Sequence, residues 1–215
     1  MIIAIDGPAG SGKTTTARCV ANRLNFFHIN TGAMYRAITL KISQENLDIS
    51  NSVNLKNLLD ETVLEIDKHG TSIFLDGKNV KREIVSKEIN EKVSQISNIV
   101  IVREKLVEFQ RKVSENRDVV LEGRDIGTVV FPLADFKFYL FADIETRAKR
   151  RQKELKKYGE YEEIDEIINT LNARDKRDLT RNNSPLKKAY DAIELDTTSL
   201  SIDEQVDFII SKVNK

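Results

Sequence analysis

A glycine-rich segment near the N-terminus holds the residues with the clearest chemical signature. It fits the spacing G-x-x-x-x-G-K-[ST] at every fixed position. Glycines at this spacing let successive backbone N–H groups turn toward phosphate oxygens, and the start of the following helix adds a favourable potential. The segment therefore predicts a nucleotide-phosphate site, with contacts from Gly7, Pro8, Ala9, Gly10, Ser11, Gly12, Lys13, Thr14 and Thr15.

Two side chains of this segment have distinct expected roles. Lys13 should reach the β- and γ-phosphates, and the Thr14 hydroxyl should ligate a magnesium ion. The flanking sequence supports both roles, because the apolar run Ile2 to Ile5 is typical of a buried strand. Apolar residues then recur at helical spacing from Ala17 to Leu24, as expected for the helix that must follow such a loop.

A phosphate loop predicts a ligand but not a reaction, and three classes of protein remain open. A GTP-dependent switch would carry an Asn-Lys-x-Asp segment after a late strand, and this sequence has none. A motor or ligase would need coupling elements, for which 215 residues leave little room. A small-molecule kinase needs a second pocket and arginines directed at the transferred phosphoryl group.

Arginines follow two further predicted strands. Arg36 lies in the Thr31-Gly32-Ala33-Met34-Tyr35-Arg36 segment after the second strand, and Arg124 follows the strand Val119 to Leu121. Ligands of open α/β sheets bind at the carboxyl ends of the strands, where guanidinium groups can fork onto a phosphate. Farther on, Arg174, Asp178 and Arg181 are spaced to share one helical face.

The order of elements predicts an α/β fold. Strand candidates at 2–5, 26–29, 119–121, 136–141 and 192–195 give a five-stranded parallel sheet flanked by helices. Turn residues at 69–70 and 76–77 between short apolar runs indicate a small antiparallel insertion. Helices are expected over 31–44 and 88–112, and a capping box at Ser201 should begin the last one.

Composition excludes several other classes. The 34 basic and 34 acidic residues cancel, which disfavours a dedicated nucleic-acid binder. No apolar run approaches the length of a membrane helix, and no signal-peptide pattern opens the chain, so we expect a cytoplasmic protein. Cys19 is the one cysteine and is interpreted as a spectator thiol beside an apolar helix face. His28 and His69 fit a strand or a turn better than nucleophilic catalysis.

Four segments together resemble the bacterial cytidylate kinases, a family of nucleoside monophosphate kinases. They are the phosphate loop, Thr-Gly-Ala-Met-Tyr-Arg from Thr31, Gly-Arg-Asp-Ile-Gly-Thr-Val-Val-Phe-Pro from Gly123, and Arg-Asp-x-Arg-Asp-x-x-Arg from Arg174. The resemblance implies a P-loop kinase core that phosphorylates CMP and dCMP with MgATP. It also implies a single unit over 1–215, with a monophosphate-binding insertion at roughly 60–95 and a short helical lid at roughly 147–165.

The resemblance assigns the acceptor site residue by residue. Arg36 and Arg124 would bind the acceptor phosphate. A carboxylate paired with an arginine can distinguish the N4 amino group of cytosine from the oxygen of uracil. The residues expected to face cytosine are Thr31, Arg103, Asp125 and Arg181, and those expected around the sugar are Ser94, Arg174 and Asp178.

The sequence leaves three points open. The lid helix should begin with Arg147, Arg150 and Arg151 and bring positive charge to the reacting phosphates, but the sequence does not indicate which of these arginines contacts ATP. Glu122 fits a carboxylate that holds magnesium through water, but equally a helix cap or an ion pair. Asn30 stands where the family usually has Asp. The sequence favours a monomeric enzyme; the alternatives are a kinase for another small acceptor and a non-catalytic ATP-binding regulatory protein.

Overall fold

The computed structural model describes residues 1–67, 70, 72–157 and 159–214. A 3₁₀ turn at Glu83–Val85 and a π turn at Ile126–Val130 lie between the strands and α-helices. In chain order the strands and helices are β1 Ile2–Asp6, α1 Lys13–Leu24, β2 Phe27–Asn30, α2 Thr31–Gln44, α3 Ser52–Glu61, β3 Leu64–Ile66, β4 Ile73–Leu75, β5 Lys78–Asn79, α4 Lys87–Ile96, α5 Val100–Ser114, β6 Val119–Gly123, β7 Phe136–Phe141, α6 Ile144–Lys157, α7 Ile164–Thr180, β8 Ile193–Asp196 and α8 Ile202–Val213.

The predicted five-stranded parallel sheet is confirmed, with the strand order β2-β6-β1-β7-β8. β1 pairs in parallel with β6 on one side and β7 on the other, so the carboxyl ends of these strands share one edge. Asp6, the last residue of β1, lies opposite Gly123 of β6 and Tyr139 of β7. This register explains why the segments that follow β1 and β6 come together.

The chain forms two compact units. The first contains 1–26 and 118–215, and the second is Phe27–Arg117. In the first unit, apolar side chains of β1, β6, β7 and β8 pack against α1 and α8. A separate apolar cluster joins Ala9 of the phosphate loop to α6 and α7, which fixes both helices beside that loop.

The second unit holds helices α2 to α5 and the three-stranded antiparallel sheet β3-β4-β5. The sheet confirms the predicted antiparallel insertion, and Asp76 and Gly77 both take positive φ at its second turn. His69 lies outside the described residues. The division into units does not test the expected single unit over 1–215, its insertion at roughly 60–95 or its lid at roughly 147–165, and these boundaries stay predictions.

Three predicted helix boundaries are wrong. The stretch 88–112 forms two helices, α4 and α5, because Ser97 ends α4 and leaves its carbonyl to accept a bond from Arg103 at 3.0 Å. α6 begins at Ile144 rather than Arg147, since the Asp143 carboxylate accepts the Thr146 N–H at 2.6 Å. α7 ends at Thr180, so Arg181 follows the helix in an extended conformation.

Other local predictions are confirmed. α2 spans Thr31–Gln44 as expected, and the capping box of Ser201 with Glu204 begins α8.

Within the described ranges, none of the helices is both long and apolar enough to span a bilayer.

Candidate active site

The phosphate loop runs from the end of β1 into α1 and depends on its glycines. Gly7 has φ +150°, and a Cβ there would lie 1.9 Å from the Leu140 carbonyl oxygen of β7. No other residue type can follow the strand so closely. The Ser11 hydroxyl donates to the Pro8 carbonyl at 3.0 Å, so the loop also holds its own curvature. Its backbone is therefore shaped before any ligand arrives.

Lys13 begins α1 and lies buried against the loop. Its ammonium donates to the Pro8 carbonyl at 2.5 Å and to the Ser11 hydroxyl at 3.3 Å. Burial lowers the pKa of Lys13 well below its usual value, and the guanidinium groups of Arg124 and Arg174 lower it further against the opposing effect of Glu122. Three cationic groups thus share one region, and an anion bound among them would relieve their repulsion.

Thr14 and Glu122 meet beside the loop. The Thr14 hydroxyl donates to Glu122 Oε2 at 2.9 Å, although the two residues lie 108 positions apart. Hydroxyl and carboxylate oxygens are hard ligands of the kind that magnesium prefers, with phosphate and water oxygens completing its shell. Among the described residues no group of three or more His, Cys, Asp or Glu could hold a metal alone. The pair fits a magnesium ion that arrives with a nucleotide.

Thr197, which directly follows β8, ties the loop to the sheet and to α6. Its single hydroxyl proton is within 3.0 Å donor–acceptor reach of both the Ser11 and the Phe141 carbonyls. Arg150 donates to the same hydroxyl at 3.0 Å and to the Thr197 carbonyl at 2.5 Å. A Cβ on Gly12 would lie 3.7 Å from Arg150 Nη1, so this guanidinium is a neighbour of the loop.

The other two arginines of α6 have different surroundings. Arg147 is buried and donates to the Ala9 carbonyl at 3.1 Å and to Asp175 of α7 at 2.5 Å. Arg151 pairs with the exposed Glu154 at 2.8 Å. Arg147 therefore holds the phosphate loop through the Ala9 carbonyl. The ion pair of Arg151 is exposed to solvent and is therefore weaker.

The first unit brings together five of the predicted acceptor residues. Arg124 Nε donates to Asp178 Oδ2 at 2.9 Å. Arg181 lies 3.9 Å from Asp178 and 4.0 Å from Asp125, and its Nε donates to the Ser184 carbonyl at 2.6 Å. Burial acts to raise the pKa of Asp178, but Arg124, Arg174 and Arg181 outweigh it and hold that pKa below its usual value. The group is a compact, charge-paired network.

The other four predicted acceptor residues lie in the second unit. Arg36 Nε donates to Asn90 Oδ1 at 3.2 Å. Arg103 is buried, donates to the Ser97 carbonyl at 3.0 Å and lies 5.3 Å from the centre of the Tyr35 ring. Thr31 and Ser94 are also buried, and the Ser94 hydroxyl has no hydrogen-bond partner among the described residues.

Asn30 has a clear structural role. It is the N-cap of α2, and its side-chain oxygen accepts the Ala33 N–H at 3.0 Å. Asparagine and aspartate are about equally good caps, so this chain keeps the helix start without the carboxylate.

Sequence reasoning missed several residues that position the site. Asp6 and Asp175 are buried or nearly so, and each accepts hydrogen bonds from a segment distant in sequence. A charged residue that ends an otherwise apolar strand was the available signal for Asp6. Tyr35 and Asn90 gave no signal of their own, because their importance lies in contacts with Arg103 and Arg36.

We predict that the Asp6 carboxyl makes stability depend on pH. Burial raises its pKa from 3.8 to about 6, against hydrogen bonds from Gly127 and Ile126 and with smaller effects of Asp125 and Lys13. The folded state therefore binds the proton more tightly, so stability falls as pH rises toward 6. Between pH 4.5 and 7.5 the unfolding free energy should fall by about 2 kcal/mol relative to Asp6→Asn.

Urea unfolding of both proteins across that range measures the difference. A difference that stays constant or rises with pH would contradict the raised pKa.

We also predict that Asp175→Ala destabilises the first unit by about 3 kcal/mol, because it leaves the buried Arg147 without its carboxylate. Replacing both partners, as Arg147→Met with Asp175→Ala, should recover most of the loss. Glu154→Ala, which removes an exposed arginine pair from α6, is the control and should change stability by less than about 1 kcal/mol. Urea unfolding compares the four proteins, and equal effects of Asp175→Ala and Glu154→Ala would refute the buried pairing.

Comparison with known proteins identifies the family to which this chain is similar. A family model described as cytidylate kinase matches residues 3–215. A cytidylate kinase of Fusobacterium nucleatum is 46% identical over 215 residues, covering 100% of this chain and 98% of the relative. One from Chloroherpeton thalassium is 47% identical over 213 residues, covering 96% and 90%.

Solved structures agree at the level of the fold. A shikimate kinase from Bacteroides thetaiotaomicron has a TM-score of 0.51 at 12% identity, covering 100% of this chain and 99% of its own. An uncharacterized protein from Eubacterium ventriosum has a TM-score of 0.52 at 18% identity, covering 100% and 99%. The full-length family match and the close relatives carry the stronger conclusion: this chain belongs to the cytidylate kinase family.

Proposed function

We propose that this protein transfers the γ-phosphoryl group of MgATP to CMP and dCMP, giving CDP or dCDP and ADP. The observation that carries the proposal is the set of cations at the phosphate loop, where Lys13 is buried within the electrostatic reach of Arg124 and Arg174. Such an arrangement suits the binding of phosphates, because their negative charge would offset the repulsion among these cations.

The donor is bound by the loop from Gly7 to Thr15. Backbone N–H groups and the start of α1 bind the phosphates, and Lys13 moves its ammonium from the Pro8 carbonyl to the β- and γ-phosphate oxygens. Thr14 and Glu122 hold the magnesium ion, Glu122 through water. Bound with ATP, that ion supplies charge neutralisation and orientation of the phosphates.

The arginines of α6 divide their work. Arg150, beside Gly12, and Arg151, whose partner Glu154 is exposed, contribute positive charge toward the donor phosphates. Arg147 has its guanidinium committed to Ala9 and Asp175, so it acts by keeping the loop in shape. A lid over roughly 147–165 would contain most of α6 and the first residues of α7.

The acceptor is bound through its phosphate and its sugar. Arg36 and Arg124 bind its phosphate and orient the attacking oxygen, and Asp178 aims Arg124 through the 2.9 Å bond. Ser94, Arg174 and Asp178 bind the sugar. The buried Ser94 hydroxyl, which lacks a partner among the described residues, is suited to a ligand hydroxyl.

Base choice rests on complementary donors and acceptors. Asp125 accepts from the N4 amino group of cytosine, and the Arg103 guanidinium donates to N3 and O2, with Thr31 and Arg181 completing the site. Uracil presents O4 to the carboxylate and N3–H to the arginine, so the carboxylate finds no donor and the arginine keeps only the O2 acceptor. We further propose a cytoplasmic monomer that binds neither nucleic acid nor membrane, in line with the equal numbers of acidic and basic residues.

We predict that Lys13→Ala lowers turnover at least ~100-fold, because the transferring phosphoryl group loses its nearest cation. The fold should persist, as judged by circular dichroism and urea unfolding. Arg18→Ala is the matched control, since it removes an exposed cation from the same helix and should leave turnover unchanged. Turnover of a folded Lys13→Ala protein close to wild type would refute the catalytic role.

We predict a preference for CMP over UMP of at least ~10-fold in kcat/KM, because each unpaired buried polar group costs about 1–3 kcal/mol. Asp125→Asn offers an amide that can donate as well as accept. The variant should therefore lose activity on CMP, and its kcat/KM values for CMP and UMP should differ less than those of the wild type. Coupled ADP formation with CMP, dCMP, UMP and AMP measures both proteins. Equal use of the four acceptors by the wild type would refute the proposed function, and an undiminished CMP preference in Asp125→Asn would remove Asp125 from base recognition.

A further inference from the structure

Asp6 is the last residue of β1 and makes an unusual pair of contacts. It is only 4% exposed, and both of its carboxylate oxygens accept backbone N–H groups. Oδ1 accepts from Ile126 and Oδ2 from Gly127, each at 2.8 Å. The side chain therefore binds two consecutive peptide N–H groups of a segment 120 residues away in sequence.

The segment that Asp6 binds directly follows Arg124 and Asp125. β6 ends at Gly123, which lies opposite Asp6 in the parallel register, and the π turn Ile126–Val130 begins two residues after Arg124. Asp6 thus fixes both sides of the Arg124-Asp125 pair, one through the sheet and the other through its carboxylate. Two residues between such fixed points have little freedom to change their backbone direction.

The opposite side of the turn is also closed. A Cβ on Gly127 would lie 3.1 Å from Lys137 Cδ and 3.5 Å from Asp6 Oδ2. The Lys137 stem cannot move aside freely, because its ammonium donates to the Pro132 carbonyl at 2.6 Å and to Asp191 at 2.8 Å. Gly127 is held between a carboxylate and an anchored lysine stem.

The contact requires a carboxylate. Burial makes the charged form costly, which is why the pKa of Asp6 rises to about 6, while the two amide donors favour that form. Asparagine has the same shape but one accepting oxygen, so its amino group would face a backbone donor. The residue thus keeps a costly charge in order to bind both peptide groups.

We propose that Asp6 is a positioning residue for the acceptor, whose carboxylate fixes the backbone from which Arg124 and Asp125 extend. This inference rests on the proposed roles of those two residues in binding CMP. Asp6 itself touches neither substrate, because it is only 4% exposed and its oxygens bind the protein backbone.

The kinetic test compares the Michaelis constants of the two substrates in Asp6→Asn. A displaced Arg124 and Asp125 should raise KM for CMP at least ~10-fold and lower kcat, whereas KM for ATP should stay within about 3-fold. Asp135→Asn is the matched control: Asp135 accepts the Ile2 N–H at 2.6 Å at the start of the same strand, and both constants should stay at wild-type values.

A second measurement does not depend on activity. In nucleotide-free protein, hydrogen exchange followed by NMR should show the Ile126 and Gly127 amides exchanging at least ~10-fold faster in Asp6→Asn than in wild type. Unchanged exchange at these amides overturns the inference whichever acceptor the enzyme uses. The acceptor panel of the wild type tests the proposed function separately.

Two kinetic outcomes would also overturn it. One is a KM for CMP within 2-fold of wild type, and the other is an equal rise of both Michaelis constants, which would make Asp6 a support of the phosphate loop. If Asp6→Asn does not fold, Gly127→Ala strains the same turn from the side of Lys137. It should show the same selective rise in KM for CMP, and an unchanged value would count against the proposal.

Discussion

Repulsion among cations at the carboxyl edge of the sheet is the constraint that organises the first unit. Lys13 is held at the phosphate loop with Arg124 and Arg174 in electrostatic reach, and burial removes the water that would screen them. A folded chain without phosphates must therefore supply its own compensation. Carboxylates around the site either supply that compensation or hold neighbouring groups in place.

Those carboxylates are not interchangeable. Asp178 compensates three guanidinium groups and sets the direction of Arg124, whereas Glu122 holds the Thr14 hydroxyl beside the loop. Asp175 keeps Arg147 under Ala9, and Asp6 binds backbone rather than a cation. A buried ion pair adds little net stability compared with apolar residues of similar size, although removing one partner alone is costly. Their arrangement is better explained by the need to hold cations and backbone in fixed positions than by stability itself.

The sequence predicted what depends on local rules. Asn30 and Thr31 mark the start of α2 through a cap, and apolar runs that end in glycine or polar segments mark the strands of the sheet. The break between α4 and α5 could not be predicted, because helical periodicity continues through it and the Arg103 contact with Ser97 is tertiary. The same limit applies to the site. Motif spacing predicted a role for Arg124, whereas the contact of Asp6 with the turn beside Arg124 is tertiary and could not be predicted from the sequence.

Each unit also holds in place the residues that we propose for acceptor binding. In the second unit Asn90 accepts from Arg36 while its amide group donates to the Val85 and Ser86 carbonyls at 2.8 and 3.0 Å. The Arg103 guanidinium is similarly confined between the Ser97 carbonyl and the Tyr35 ring.

Flexible arginines could turn to pair with either base, which would reduce the difference in affinity between two acceptors. When the fold has already ordered them, a mismatched base leaves their donors unpaired and loses affinity. Selectivity in such a site therefore depends as much on the residues that hold the arginines and the Arg124-Asp125 backbone as on the groups that touch the nucleotide.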